Sequence, residues 1–139
     1  MSTHKTPKIA KLIAHLHHDR YDAHYLGYFE CFNGQLHYEA HDVLEDLWLE
    51  TKGPLHNYYK GLIQLAGAFV HLKNNKLNPA ARLFRLSRSY LEPYRPETEG
   101  LDVTELLGRI DGWVDTLESS DYTLSPYNPA HPPTLHPRL

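Results

Sequence analysis

The chain is short of sulfur: one cysteine and one methionine stand among 139 residues. Cys31 has no partner for an internal disulfide, so a reducing compartment is expected. No apolar run reaches the ~18 residues that a spanning helix needs. The N-terminal stretch lacks the apolar core of a secretion signal, because Lys8, Lys11 and His15 interrupt it. The expectation is a soluble, cytoplasmic protein with no membrane segment. Basic excess is missing too. A net charge of −3 argues against an extensive nucleic-acid surface. No glycine loop suited to phosphate is present, and Ser87 and Ser89 lack a nucleophile-elbow context. Cys31 has no basic neighbour in sequence to activate its thiol.

What is present fits one soluble domain. The 41% hydrophobic and 22% charged residues are ordinary for a globular chain of this length. Two residue types are abundant, with 11 His and 10 Tyr, and they draw the search toward polar chemistry. Histidines 4, 15, 17, 18, 24, 131 and 136 fall toward the chain ends and read as solvated. Exposed histidines also take up nickel or zinc weakly during purification, whatever a protein does.

One periodicity dominates. Ile9, Leu12, Ile13 and Leu16 repeat at helical spacing, with Thr6 as N-cap and Pro7 at the first helical position. Tyr25, Phe29 and Phe32 stripe a second helix that stops at Asn33-Gly34. Leu36, Ala40, Val43, Leu44 and Leu47 form the apolar face of a third. Pro54 opens a fourth bearing Leu55, Tyr59, Leu62, Ile63, Ala66, Phe69 and Val70. Asn78-Pro79 starts a fifth. Asp102-x-x-Glu105 is a capping box before Val103, Leu106, Leu107, Ile110, Val114 and Leu117. Nothing reads as a strand, and no solenoid-length repeat is visible. The pattern predicts an all-α fold: a compact bundle of about five to six helices around an antiparallel central hairpin.

Three segments follow: a helical extension over 1–20, a helical domain over 21–118, and a proline-rich tail over 119–139. Pro126, Pro129, Pro132, Pro133 and Pro137 forbid helix in that tail. It reads either as a frayed end or as a strap held down by Tyr122, Tyr127 and Leu135.

The candidate site lies between the third and fourth helices. At 100° per residue, His41, Glu45 and Trp48 fall between about 120° and 180° from Leu36, at the edge of the apolar arc. On the fourth helix Asn57, Lys60, Gln64, Gly67, Ala68 and His71 form a stripe mixing polar with very small residues. The short connection at Gly53-Pro54 makes the helices antiparallel. Counting from the turn sets Glu45 near Gln64 or Lys60, and His41 near Ala68 or His71. His41, Glu45 and His71 would then suit a divalent transition metal with open positions for water. His41 and Glu45 are the candidate catalytic pair, and Trp48, Gln64 and Lys60 the candidate binding residues for a small molecule.

Two other readings stay open. Glu45 can accept a hydrogen bond from His41 or Gln64 and register two packed helices without any ligand. The Gly67-Ala68 groove can instead receive a partner helix, the chain's own tail or a second subunit in a homodimer. Whether the protein is an enzyme is left open by the residues. Arg82, Arg85 and Arg88 read as a solvated flank, paired at most with Asp111, Asp115 and Glu118.

The run Tyr28-Phe29-x-x-Phe32-Asn33-Gly34-x-x-x-Tyr38-Glu39-Ala40-His41-Asp42-x-Leu44-Glu45-x-x-Trp48 resembles the opening signature of the domain-of-unknown-function family numbered 309. Gly53-Pro54, then Lys60-Gly61-Leu62-Ile63-Gln64-x-Ala66-x-Ala68-x-x-His71, is similar to its second signature. Tyr94-x-Pro96 and Gly100-Leu101-Asp102-Val103 look like its closing segment, so the resemblance spans about residues 22 to 118. It implies a small helical bundle in which His41, Glu45, Trp48, Gln64 and His71 hold signature positions. It implies no activity. Asp42 stands where such proteins often carry Glu, and His56-Asn57 replaces the more usual basic stretch.

Overall fold

The computed structural model describes residues 6–139, with side chains from Pro7 onward. The expectations for His4 and for a Thr6 side-chain cap lie outside what is described. Six helices are present among the described residues: α1 Thr6–Ile13, α2 Ala23–Asn33, α3 His37–Glu50, α4 His56–Lys73, α5 Leu77–Leu91 and α6 Val103–Ser119. The structure is mostly helical rather than wholly so. Glu97–Thr98 (β1) and Leu101–Asp102 (β2) pair antiparallel, Glu97 opposite Asp102 and Thr98 opposite Leu101. Two-residue strands carry too little alternation to be read from a sequence. No helix among the described residues is long and apolar enough to cross a membrane.

Local chemistry sets most boundaries. Asp102 caps α6, its Oδ1 accepting from the Glu105 N–H at 2.9 Å. Asp22 caps α2 in the same way through the His24 N–H at 2.8 Å. The stop of α2 differs from the sequence reading, because Gly34 keeps a negative φ and Gln35 takes φ +64°. Leu36 N–H then reaches Cys31 O at 2.8 Å and Gln35 N–H reaches Phe32 O at 3.0 Å, the paired bonds of a Schellman end. Asn75 does the same after α4, where Lys76 N–H meets His71 O at 2.9 Å. The two hairpins α2–α3 and α4–α5 therefore share one connection geometry. Pro54 lies in the turn before α4 rather than inside it, and Pro79 sits within the first turn of α5.

The core runs between the helices as a chain of rings. Phe32, Phe69 and Phe84 meet edge-to-face at 5.4 and 5.3 Å, and Trp113 of α6 meets Phe69 at 5.0 Å. Such pairs add about 0.5–1.5 kcal/mol each beyond their burial. Small residues let α5 close on α4. A Cβ on Gly61 would come within 2.7 Å of the Leu91 side chain, and one on Gly67 within 3.0 Å of Leu83. Of the small residues in the predicted groove, Gly67 is thus met by Leu83 of α5 in the same chain.

Around Leu135 the C-terminal segment packs on the helices. Leu135 is 2% exposed, and Asn33 grips its backbone twice, donating to Leu135 O at 2.8 Å and accepting from Leu135 N–H at 2.7 Å. Arg109 donates to Thr134 O at 2.8 Å, Arg138 N–H to Gly100 O at 2.7 Å, and the Tyr127 hydroxyl to the Gln35 side chain.

Candidate functional site

Helices α3 and α4 are antiparallel. His37 at the start of α3 stacks on Phe69 near the end of α4, with ring centroids 5.1 Å apart. At the other end Trp48 stacks on His56 at 4.9 Å, and Lys60 Nζ lies 4.4 Å from the Trp48 ring centroid. Those two contacts fix the register. They bring Lys60 to Trp48, and they set His71 level with the α2–α3 connection, before α3 begins.

Three side chains on α3 converge. His41, Asp42 and Glu45 each offer one ligand-type atom, and these atoms lie within 4.8 Å of one another. Two ligands of one ion sit at most about 4.2 Å apart when each bond is about 2.1 Å. At up to 4.8 Å the three donors stand slightly wider than one ion spans, so holding an ion would require side-chain movement. His41 Nδ1 lies 3.2 Å from Asp42 Oδ1, and Asp42 is 4% exposed. His41 and Glu45 are half-buried, so the group reaches the surface from a shielded base. Tyr38 lies over His41, ring centroids 6.4 Å apart.

The donor set differs from the sequence expectation: it holds Asp42 in place of His71. His71 lies outside this group, and its surroundings are cationic: after burial, Lys76 and then Arg82 hold its imidazole below the usual value. Gln64 is half-buried on α4. Lys60 and Trp48 form a closed stack with His56, whose Nδ1 donates to Thr51 O at 2.9 Å. The Trp48 Nε1 is buried with no hydrogen-bond partner among the described residues.

Two histidines carry more structure than their sequence positions suggest. His24 is not merely solvated: its Nδ1 lies 2.7 Å from Asp22 and its Nε2 3.0 Å from Asp46, which ties the start of α2 to α3. His37 is the second. It is 1% exposed, and burial followed by the Lys73 ammonium pushes its imidazole down to about 4. The spacing His37-x-x-x-His41, one helical turn on one helix, is the sequence signal that could have drawn attention to it.

No curated protein and no solved structure matches this chain. The match to a family model covers residues 25–83, which holds both long signatures and leaves the segment around Tyr94 and Gly100 outside. Over those residues the chain matches the domain of unknown function DUF309, and this is the family it resembles.

Proposed function

We propose that the α3 flank holds a divalent transition metal ion through His41, Asp42 and Glu45, and that the ion activates water for hydrolysis of a small molecule. The observation that carries this reading is the three-donor convergence within 4.8 Å. One imidazole nitrogen and two carboxylate oxygens suit zinc, iron or manganese, and they leave coordination positions for water and substrate. A bound ion lowers the pKa of its water toward neutrality, which supplies a nucleophile that no side chain here provides alone. Trp48, about one turn further along α3, and Lys60, which reaches the Trp48 ring from α4, would wall the substrate side, with Gln64 as an orienting donor.

Elemental analysis of untagged protein tests this. Wild type and His71→Ala should carry about one metal ion per chain, and His41→Ala should carry none. Equal content in all three would assign the metal to scattered surface histidines instead.

One observation favours a different role, a non-catalytic interaction module. Leu36 and Tyr38 are exposed at 46% and 57%, side by side where α3 begins. A homodimer through that patch would be split by Tyr38→Glu, read as a halved mass in solution. An unchanged monomeric mass for both proteins would remove the homodimer.

A further inference from the structure

A second site stands at the start of α3 and does not depend on the metal ion. A cavity of about 310 Å³ opens there between Gln35, His37, Tyr38, Glu39 and Lys73. That volume is at the small end of the range for ligand pockets. No side chain caps α3. Its first N–H groups have no acceptor within the helix, and they present the positive end of the helix dipole. Lys73 arrives from the last turn of α4. Its ammonium donates to Gln35 O and stands 3.1 Å from His37 Nδ1.

His37 is the second, separate observation. An ammonium has only hydrogens to give, so the imidazole must accept at Nδ1 and carry its own proton on Nε2. That Nε2 is buried and has no hydrogen-bond partner among the described residues. Packing alone does not call for this arrangement. A phenylalanine would keep the stack on Phe69 and the edge contacts with Phe32 and Tyr127, and would leave no polar atom unpaired. The Tyr127 ring of the strap stands edge-on to His37 at 6.0 Å.

We propose that this cavity binds the carboxylate of a small organic molecule, through the Lys73 ammonium and the free N–H groups at the start of α3, with His37 as a positioning residue that orients Lys73. Glu39 lines the same cavity. Its negative charge disfavours a dianion more than a monoanion, which selects a carboxylate over a phosphate.

The test is an NMR titration of the full ¹⁵N-labelled chain with sodium acetate, and separately with inorganic phosphate, at constant ionic strength. Acetate should give saturable shifts at the amides of His37, Tyr38 and Glu39, with phosphate weaker. Lys73→Met should weaken acetate about tenfold, the loss of one charge-assisted hydrogen bond. Lys73 is exposed, so this variant keeps the fold. His37→Phe should bind acetate more weakly than wild type while keeping Lys73. Shifts that never saturate, or equal affinity in Lys73→Met, would overturn the site. Tighter binding of phosphate than of acetate would overturn the carboxylate assignment.

Discussion

The tyrosine-lined interior and the α3 flank treat polar atoms in opposite ways. Inside, the hydroxyls of Tyr25, Tyr28 and Tyr58 each find a backbone carbonyl. Tyr28 donates to Leu62 O at 2.6 Å, and Tyr25 donates to Glu99 O at 2.8 Å while meeting the Tyr58 hydroxyl at 2.7 Å. Burial raises all three phenols well above their ordinary range, so they stay protonated and remain donors. These bonds pin the β1–β2 turn, where Glu99 takes φ +50°, onto α2 and α4. Along α3, by contrast, His37 Nε2 and Trp48 Nε1 are buried without partners among the described residues, and His41, Asp42 and Glu45 crowd together. Satisfied polar atoms stabilise a fold; crowded or unpaired ones lower stability and mark places where a ligand completes the chemistry.

Substitutions can break that contrast. The largest effect should come from the interior. Tyr25→Phe leaves the Glu99 carbonyl without its donor and strips the Tyr58 hydroxyl of one contact, its bond to Thr98 O remaining, and we expect a loss of about 2–3 kcal/mol in urea unfolding. A loss below the error of the fit would show that water reaches the network.

Next comes pH. The folded-state value for His37, about 4, lies below the ordinary 6.5, so the unfolded chain binds this proton more readily. The contribution is whole above pH 6.5 and falls away as pH drops toward 4. Between pH 7 and 5 it should remove about 2 kcal/mol, and His37→Phe should flatten that part of the curve. An identical pH slope in the variant would place the titrating group elsewhere.

The strap should give a smaller effect. Asn33→Ala removes both bonds to Leu135, worth about 1–2 kcal/mol together, and should speed hydrogen exchange at the Leu135 amide while sparing that of Phe69. The smallest effect belongs to the surface. Arg88 pairs with Asp111 at 2.6 Å and Glu92 at 2.8 Å, yet all three are substantially exposed. Arg88→Ala should cost about 0.5 kcal/mol or less, vanishing at high salt.

Much of this was legible in the sequence, for physical reasons. Long amphipathic stripes gave the helices, and Asp102 with Glu105 marked the start of α6 because a capping carboxylate must precede a free N–H. His41 and Glu45 were visible as neighbours because i, i+4 spacing on one helix needs no tertiary information. Asp42 is harder to read, since it is i+1 to His41 and its place in the group rests on the Glu45 spacing and on a 3.2 Å contact that only the folded side chains show. His71 shows the same limit across helices. A register counted from the turn drifts when Gly53 and Pro54 lie outside α4, and His71 then passes beyond the start of α3. Gln35 and Asn75 escaped because left-handed residues are sought among glycines first, while here the Schellman bonds hold ordinary side chains in that conformation. Tyr25, far from Glu99 in sequence, carried no local trace of the bond between them.

The metal proposal can be read directly. Crystals of untagged protein soaked in dilute zinc and measured at the zinc absorption edge should show one strong anomalous peak, bonded to His41, Asp42 and Glu45 at about 2.0–2.2 Å. A peak only at outlying histidines such as His15, which already meets Glu30 at 2.8 Å, would contradict it. So would the same α3 peak persisting in Glu45→Gln and His41→Ala crystals.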